Sequence, residues 1–230
     1  MPTITTAAGR CLLKRTKRRT LSISVLPGGT VEIVAPLAAS VESIRQKIEK
    51  RAGWIARQRR FFAALQVEHP PRRYRTGATY RYLGRQYRLK VKKASKADVK
   101  LIGAYLHVSS PSVRPKDIET RVSNWMREKA GEQFAWRLTK WRLWCEHLGL
   151  PEPRLVLRNM PKRWGSAHQD GRIFLNPELV RTPSLCIDYV IAHEICHLKH
   201  PGHDRAFYTE LEELCPKWRS IKQRLESVDC

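Results

Sequence analysis

The chain has 230 residues, of which 42% are hydrophobic and 28% are charged. This composition is that of an ordinary globular protein and excludes a wholly disordered chain. No apolar run approaches the roughly 18 residues of a membrane span, and the polar first twenty residues lack the apolar core of a secretory signal. With six cysteines and no CxxC pair, the sequence predicts a cytoplasmic protein with reduced thiols and no membrane partner.

The formal net charge of +23 is distributed unevenly along the chain. Residues 1–114 hold 25 basic and 5 acidic residues, a net charge of +20, whereas residues 115–230 hold 19 basic and 16 acidic residues, a net charge of +3. A basic surplus interleaved with aromatic residues suits a polyanion, although it also raises solubility and non-specific binding. Nucleic acid is therefore a candidate partner of the N-terminal half. No helix-turn-helix, zinc-finger or RNP motif indicates base-specific readout.

The first half of the chain has the patterns of a small, basic, β-rich α+β unit. Apolar and polar residues alternate over residues 20–36 around Pro27-Gly28-Gly29, which predicts a hairpin. Ser40 is a good N-cap for a single helix that runs to about residue 65. Two more short hairpins are predicted over residues 79–109.

A Ser- and Pro-rich stretch at residues 109–115 marks the predicted domain boundary. It divides the chain into a basic hairpin-and-helix unit at residues 1–112 and a second domain at residues 113–230. No internal repeat is visible. The elements predicted for the second domain are a helix over 117–148, strands over 154–158, 163–168 and 172–176, a helix over 184–200, and helices that start near Asp204 and Pro216.

The most informative segment is His193-Glu194-Ile195-Cys196-His197, an HExxH motif on the helix predicted over residues 184–200. Residues at i and i+4 share one helix face, with β-carbons about 5–6 Å apart, so two imidazoles can hold one metal ion. Glu194 projects about 100° away around the helix and can reach a metal-bound water without being a ligand. The alternative is a core helix whose histidines only form hydrogen bonds.

A catalytic zinc has three protein ligands and one open position. His200 lies about 10 Å along the helix axis from the first histidine of the motif, too far for both to share an ion in a straight helix. Pro201-Gly202 breaks the helix and lets the chain bring His203 back under the metal. The residues therefore predict Zn2+ bound by His193, His197 and His203.

Three neutral imidazoles leave Zn2+ its full charge, which lowers the pKa of a bound water to about 7. Glu194 would then accept the proton of that water and pass it to the leaving group. A closed structural site would need a fourth ligand, and the nearest thiol, Cys196, has apolar neighbours that predict a core position. Asp204 is a candidate for a helix N-cap or for a carboxylate that orients a ligand imidazole.

Further segments accompany the motif: Arg163-Trp164-Gly165-Ser166, Gly171-Arg172-Ile173-Phe174-Leu175-Asn176, Leu179, Pro183, Ile187-Asp188-Tyr189-Val190, His203 and Phe207. With the motif, they resemble the YgjP-like metallopeptidases, a zincin-type family related to the SprT-like proteases. The resemblance spans roughly residues 20–220 and is closest over residues 163–207. It departs at Ala167, where the family often has a cysteine.

The resemblance implies an α+β protein with a zincin-like catalytic domain and a protein or peptide substrate. It also implies that the three histidines bind zinc and that Glu194 is the catalytic acid/base. These residue roles agree with those that the spacing predicts.

Six residues are candidates for substrate binding: Arg163, Trp164, Gly165, Ser166, His168 and Tyr208. The strand that begins at Arg163 would border the cleft, where an extended peptide could add by backbone pairing. Arg163 could hold a carboxylate or phosphate, and His168 and Tyr208 could stabilise an oxyanion. The alternative is structural, with Trp164 in the core and Gly165 allowing a close backbone approach.

Three functions fit these observations. The first is a zinc metallopeptidase that uses a Glu-activated water, acting near nucleic acid. The second is a metal-dependent nucleotide pyrophosphatase, since the same activated water could attack a phosphoanhydride. The third is a non-enzymatic nucleic-acid-binding protein with a structural zinc.

Overall fold

The computed structural model describes residues 3–6, 9–26, 29–64, 73–160 and 163–227. Within them the protein is a mixed α+β structure with three sheets and six α-helices. The chain divides into two compact units, Met1–Pro70 and Pro71–Cys230. None of the described helices combines the length and the apolar character that crossing a membrane requires.

The first unit has a four-stranded sheet with the order β1-β2-β4-β3, in which β2 and β4 run parallel and the outer pairs are antiparallel. Its strands are β1 (Thr3–Thr6), β2 (Gly9–Thr16), β3 (Ser22–Val25) and β4 (Val31–Pro36). Alternate residues of β4 face the core: Val31, Ile33 and Ala35 are fully buried. The predicted hairpin of β3 and β4 is confirmed, and its Pro27-Gly28 turn lies outside the described residues.

Two helices, α1 (Val41–Glu49) and α2 (Ala52–Ala64), follow the sheet of the first unit. The Ser40 side chain accepts a hydrogen bond from the backbone N–H of Ser43 at 3.1 Å, as the N-cap prediction requires. The prediction of one continuous helix is wrong, because the chain forms a turn at residues 50–51. Gly53, which weakens helix propensity, is the second residue of α2, next to that turn.

The second unit begins with a sheet of the order β5-β6-β8-β7, which confirms the two hairpins predicted over residues 79–109. Its strands are β5 (Thr79–Tyr82), β6 (Arg85–Lys93), β7 (Asp98–Ile102) and β8 (Tyr105–Ser110). The 33-residue helix α3 (Pro115–His147) follows. Buried α3 residues such as Ile118 and Val122 share one core with Leu106 of β8. The predicted boundary at residues 112/113 therefore falls inside the second unit.

The two units start with the same ββββα topology. In both, the order is outer strand, parallel central pair, outer strand, and the next element is a helix. The apolar positions that face or border the core also correspond in register: Leu13, Ile33 and Ile23 pair in the first sheet as Val91, Val108 and Val99 pair in the second. The chain thus contains a repeated module that retains the apolar pattern although the residues differ.

The remainder of the second unit consists of a three-stranded sheet and four further helical segments. The strands β9 (Arg154–Leu157), β10 (Gly165–Ala167) and β11 (Arg172–Leu175) have the order β10-β11-β9, so β10 is an edge strand. The helical segments are a 3-10 turn at Pro177–Arg181, α4 (Ser184–Lys199), α5 (Arg205–Leu214) and α6 (Trp218–Glu226). The strands and α-helices agree with the elements predicted for this region, and the 3-10 turn was not predicted.

Helix α4 lies at the centre of the second unit and contacts α3, α5, α6 and β10. Its residues Ile187, Ile191 and Ile195 have no exposed surface. An ion pair joins α3 to α4, with Arg137 Nε 2.9 Å from Asp188 Oδ1. Helix α4 is therefore held from several sides.

The packing of α1 in the core of the first unit can be tested by substitution. Ile44 of α1 has no exposed surface, so Ile44→Ala should lower the free energy of unfolding by about 2–5 kcal/mol. Urea unfolding measures this change. Val41→Ala, on the same helix at a side chain that is 43% exposed, should change it by less than about 0.5 kcal/mol. Equal effects of the two substitutions would contradict the packing.

Candidate metal centre

Three histidines converge at the end of α4. One ring nitrogen from each of His193, His197 and His203 lies within 4.8 Å of the others. The Nε2 atoms of His193 and His203 are 3.1 Å apart. A tetrahedral zinc with Zn–N bonds of about 2.0–2.1 Å holds its nitrogen ligands about 3.3 Å from one another. The histidines therefore fit a single divalent ion with little rearrangement.

The turn between α4 and α5 brings His203 to the other two histidines, as the helix break at Pro201-Gly202 predicted. Asp204 caps α5, because its Oδ1 accepts a hydrogen bond from the backbone N–H of Phe207 at 2.9 Å. The N-cap interpretation of Asp204 is confirmed. The ring of His200 points to Glu210, with Nε2 3.3 Å from Oε2, and does not belong to the cluster.

The protonation of the cluster suits metal binding. His197 Nδ1 donates a hydrogen bond to the backbone carbonyl of His200 at 3.0 Å, which leaves the Nε2 lone pair of His197 free for an ion. Burial, together with the charges of the neighbouring histidines, lowers the pKa of His193 to about 3. Burial also lowers the pKa of His203. Neutral imidazoles are the form that binds a metal.

The ring of Phe207 forms an apolar floor under the three histidines. Its centroid lies 5.0 Å from that of His193, 4.6 Å from that of His197 and 4.7 Å from that of His203. Phe207 has no exposed surface. It therefore limits the rotation of the imidazoles and excludes water from beneath them. The apolar spacing of α5 predicts a core residue here, but nothing in the sequence shows that the core lies under the cluster.

Glu194 lies beside the histidines as a buried carboxylate. It is 6% exposed and lines the same cleft of about 350 Å3. Burial raises its pKa to about 8, opposed by a hydrogen bond from the backbone N–H of Ala167 and by the charge of Arg163. The contribution of Ala167 comes from its backbone, so its residue type gives no signal in the sequence.

Strand β10 passes directly against Glu194. A β-carbon added to Gly165 would lie 2.6 Å from Oε1 of Glu194 and 2.7 Å from its Cγ. Contacts this short do not occur between real side chains, so a residue larger than glycine would displace the carboxylate or the strand. The close approach that the sequence indicated at Gly165 is an approach to the side chain of Glu194.

The structure brings three of the six predicted substrate residues to the cleft. Arg163, Gly165 and Ser166 line it together with Glu194 and the histidine cluster. They belong to β10 and the residues just before it, and α4 packs against this strand. The edge of the sheet and helix α4, which carries His193, Glu194 and His197, therefore form the two walls of the cleft.

The other three predicted residues lie elsewhere. Trp164 is half-buried and packs against the main core. His168 is exposed, with Nδ1 3.0 Å from Oδ1 of Asp170, and it is not among the residues that line the cleft. The Tyr208 ring stacks on Trp218 at 5.3 Å, and its centroid is 6.2 Å from that of His203.

Cys196 is fully buried, and burial raises the pKa of its thiol to about 12. Its core position is therefore confirmed. Within the part of the chain that the structure describes, the three histidines form the one cluster of His, Cys, Asp and Glu with a metal-binding geometry. A closed site with a sulfur ligand finds no support in those residues.

The contact between Gly165 and Glu194 can be tested by substitution. Gly165→Ala should lower the free energy of unfolding by about 1–3 kcal/mol, because the added methyl group overlaps the buried carboxylate. Gly202→Ala is the matched control, since its β-carbon would meet no atom within 4 Å, and it should change stability by less than about 0.5 kcal/mol. Urea unfolding of both variants makes the comparison. Equal stability of Gly165→Ala and the parent protein would refute the contact.

Among solved structures, the chain is similar to the metallopeptidase zymogen abylysin of Pyrococcus abyssi, with 18% identity over 45% of this chain and 90% of that chain. The TM-score of 0.31 is too low to establish a shared fold. No curated protein matches the chain. The model of the YgjP-like metallopeptidase domain matches residues 19–228, and the chain therefore belongs to the YgjP-like metallopeptidase family.

Proposed function

We propose that the protein is a zinc-dependent peptidase whose ligands are His193, His197 and His203 and whose catalytic acid/base is Glu194. The observation that carries this proposal is the convergence of three imidazoles beside the buried side chain of Glu194, in a cleft walled by an edge strand. Family membership supports a hydrolase with a divalent metal. The three-nitrogen donor set supports zinc with one open position, and the HExxH helix beside an edge strand supports a zincin-like catalytic domain.

A bound Zn2+ supplies the charge that polarises a carbonyl and acidifies a coordinated water. Side chains of the protein accept and donate the proton. A carboxylate oxygen of Glu194 takes up the proton released during attack and delivers it to the leaving amine. The backbone N–H of Ala167 holds that carboxylate in place, and Phe207 keeps water away from the back of the cluster.

Strand β10 orients the substrate. Its pairing with β11 engages the Trp164 carbonyl and the His168 N–H. Backbone groups alternate in direction along a strand, so those of Gly165 and Ala167 point to the open edge, where the Ala167 N–H donates a hydrogen bond to Glu194 and the other groups can pair with a peptide. An extended peptide that adds at this edge passes over Glu194 and the histidines, with Arg163 and Ser166 beside it.

The metal ligands can be assigned by comparing two neighbouring histidines. The purified parent protein should hold about one equivalent of zinc, as one three-histidine site requires, and His203→Ala should lose most of it. His200→Ala should retain it, because the ring of His200 points to Glu210 and only its backbone carbonyl contacts His197. Elemental analysis after dialysis against a weak chelator gives the stoichiometry. Equal zinc contents in the two variants would show that His203 is not a ligand.

The role of Glu194 can be separated from metal binding. Glu194→Gln should retain zinc but slow peptide hydrolysis by about 10²–10⁴-fold, the usual contribution of general acid–base catalysis. Casein and a panel of nucleoside triphosphates serve as substrates for both proteins. Release of pyrophosphate without peptide cleavage would favour the pyrophosphatase, and unchanged function in Glu194→Gln would favour the non-enzymatic alternative.

Nucleic acid is a proposed partner of the first unit. Six basic residues of α1, α2 and the turn between them are exposed: Arg45, Lys47, Lys50, Arg51, Arg57 and Arg60. The two helices carry only two acidic residues, Glu42 and Glu49. A surface of this kind attracts phosphate groups without reading the bases. We also propose the cytoplasm as the location, since the five described cysteines are all free thiols.

The basic helices should determine how DNA binding depends on salt. The triple variant Lys47→Gln, Lys50→Gln and Arg57→Gln should lower the slope of log affinity against log salt by about 2–3 units for a 20-base-pair duplex. Fluorescence anisotropy gives the slopes. The matched control removes three charges from the second unit: Arg142→Gln, Arg154→Gln and Arg219→Gln. Equal slopes in both triple variants would show that α1 and α2 are not the binding surface.

A further inference from the structure

A second cavity, of about 610 Å3, lies next to the cleft that holds the histidines. Arg163, Ser166 and Ala167 line both cavities. The two are therefore continuous along β10, and a chain that lies on the edge of β10 passes both. None of the three ligand histidines lines the second cavity, so the proposed metal chemistry does not account for it.

The second cavity is rich in arginine. Arg158, Arg163 and Arg172 line it, together with the aromatic ring of Phe174. The guanidinium carbons of Arg158 and Arg172 lie 5.8 Å and 5.7 Å from the centroid of that ring. Contact with an aromatic face holds a guanidinium in place while leaving its N–H donors free.

Much of this charge has no partner within the described residues. Arg172 pairs with Asp170, Nε to Oδ2 at 2.8 Å, and the same carboxylate is 3.0 Å from His168. Asp170 is therefore already engaged. No described carboxylate lies within ion-pair distance of Arg158 or Arg163. Arg163 makes a 3.4 Å contact with the Ser166 hydroxyl, and its charge acts on Glu194 only at longer range. Two guanidinium groups are left to face the cavity.

We propose that this cavity is a subsite for an acidic side chain, Asp or Glu, of the peptide substrate. The inference rests on the proposed peptidase function and specifies its substrate class. Guanidinium groups bind carboxylates through paired N–H donors, and Phe174 offers an apolar surface to the methylene groups of the same side chain. Because side chains of an extended peptide alternate in direction, a residue near the cleaved bond can place its carboxylate between Arg158 and Arg163.

A binding experiment tests this subsite without requiring turnover. Zinc-loaded full-length Glu194→Gln protein is titrated against two fluorescein-labelled decapeptides of Gly, Ala and Ser that differ only in a central Glu-Glu or Gln-Gln pair. The acidic peptide should bind at least about tenfold more tightly. Adding Arg158→Gln should remove most of this preference. Arg158 is exposed, so the substitution leaves the core intact.

The control distinguishes a subsite from the general positive charge of the protein. Arg88→Gln removes the same charge from an exposed position on β6, outside both cavities, and should leave the preference for the acidic peptide within about twofold. An equal loss in Arg88→Gln and Arg158→Gln would overturn the subsite, and so would equal binding of the two peptides. Displacement of the acidic peptide by tripolyphosphate at much lower concentrations would assign the cavity to phosphate instead and overturn the proposal.

The acidic-side-chain subsite and the peptidase activity can fail separately in these experiments. If the acidic peptide binds preferentially but wild-type protein cleaves no peptide, the catalytic assignment fails while the acidic-side-chain site remains. If wild-type protein cleaves peptides but mass spectrometry of the products from a proteome-derived peptide library shows no enrichment of Asp or Glu near the cleaved bond, the subsite fails while the peptidase remains.

Discussion

The contact between Glu194 and the edge strand β10 is the constraint on which the site depends. Burying a carboxylate is unfavourable unless hydrogen bonds and nearby positive charge offset the loss of water. Here the Ala167 N–H and the charge of Arg163 offset part of that loss, and the pKa of Glu194 stays raised to about 8. Ala167 belongs to β10 and Arg163 comes just before it, so the strand must lie against α4 for both groups to act on Glu194. At this distance Gly165 leaves no room for a β-carbon. The position of one carboxylate thus fixes the wall along which a substrate would lie.

The histidine cluster depends on a different constraint, the apolar packing beneath it. Phe207 and the buried residues of α4 hold the three imidazoles close together. Burial also keeps His193 neutral. The Nε2 atoms of His193 and His203 lie 3.1 Å apart. Packing energy from the core therefore holds the three imidazoles close to the arrangement that a shared metal ion would need, which would reduce the ordering required for metal binding.

The sequence predicted those parts of the site that depend on local geometry. The i, i+4 spacing of His193 and His197, the break at Pro201-Gly202 and the Asp204 cap each involve residues close in sequence, where helix geometry alone decides the outcome. The contact of Gly165 with Glu194 joins residues 29 positions apart. Phe207 could be predicted as buried, but not as the floor of the cluster, since which core residue meets which ligand depends on tertiary packing.

The same difference explains what was missed in the fold. A helix of 33 residues was predictable from its periodicity, but the sharing of its core with β5–β8 was not, so the boundary was expected at residues 112/113. The repeated module is likewise not visible in the sequence. Strand register preserves the alternation of buried positions, and any apolar residue satisfies it: Leu13 and Ile33 occupy the places that Val91 and Val108 occupy in the second module.

The helix that follows the four-stranded sheet is packed differently in the two modules. In the first unit, α1 buries only Ile44 and Ile48, so most of its surface is free to carry charge. In the second unit, α3 occupies the corresponding place but is more than three times as long. It packs on β8, on β9 and on α4, and it buries nine residues, including Trp125 and Phe134. The charge of the two helices does not follow this difference, since α1 carries two basic and two acidic residues and α3 carries seven basic and five acidic residues. The difference in packing decides instead what each helix can support. Helix α3 joins β8 and β9 to α4, which carries two histidines of the candidate metal centre.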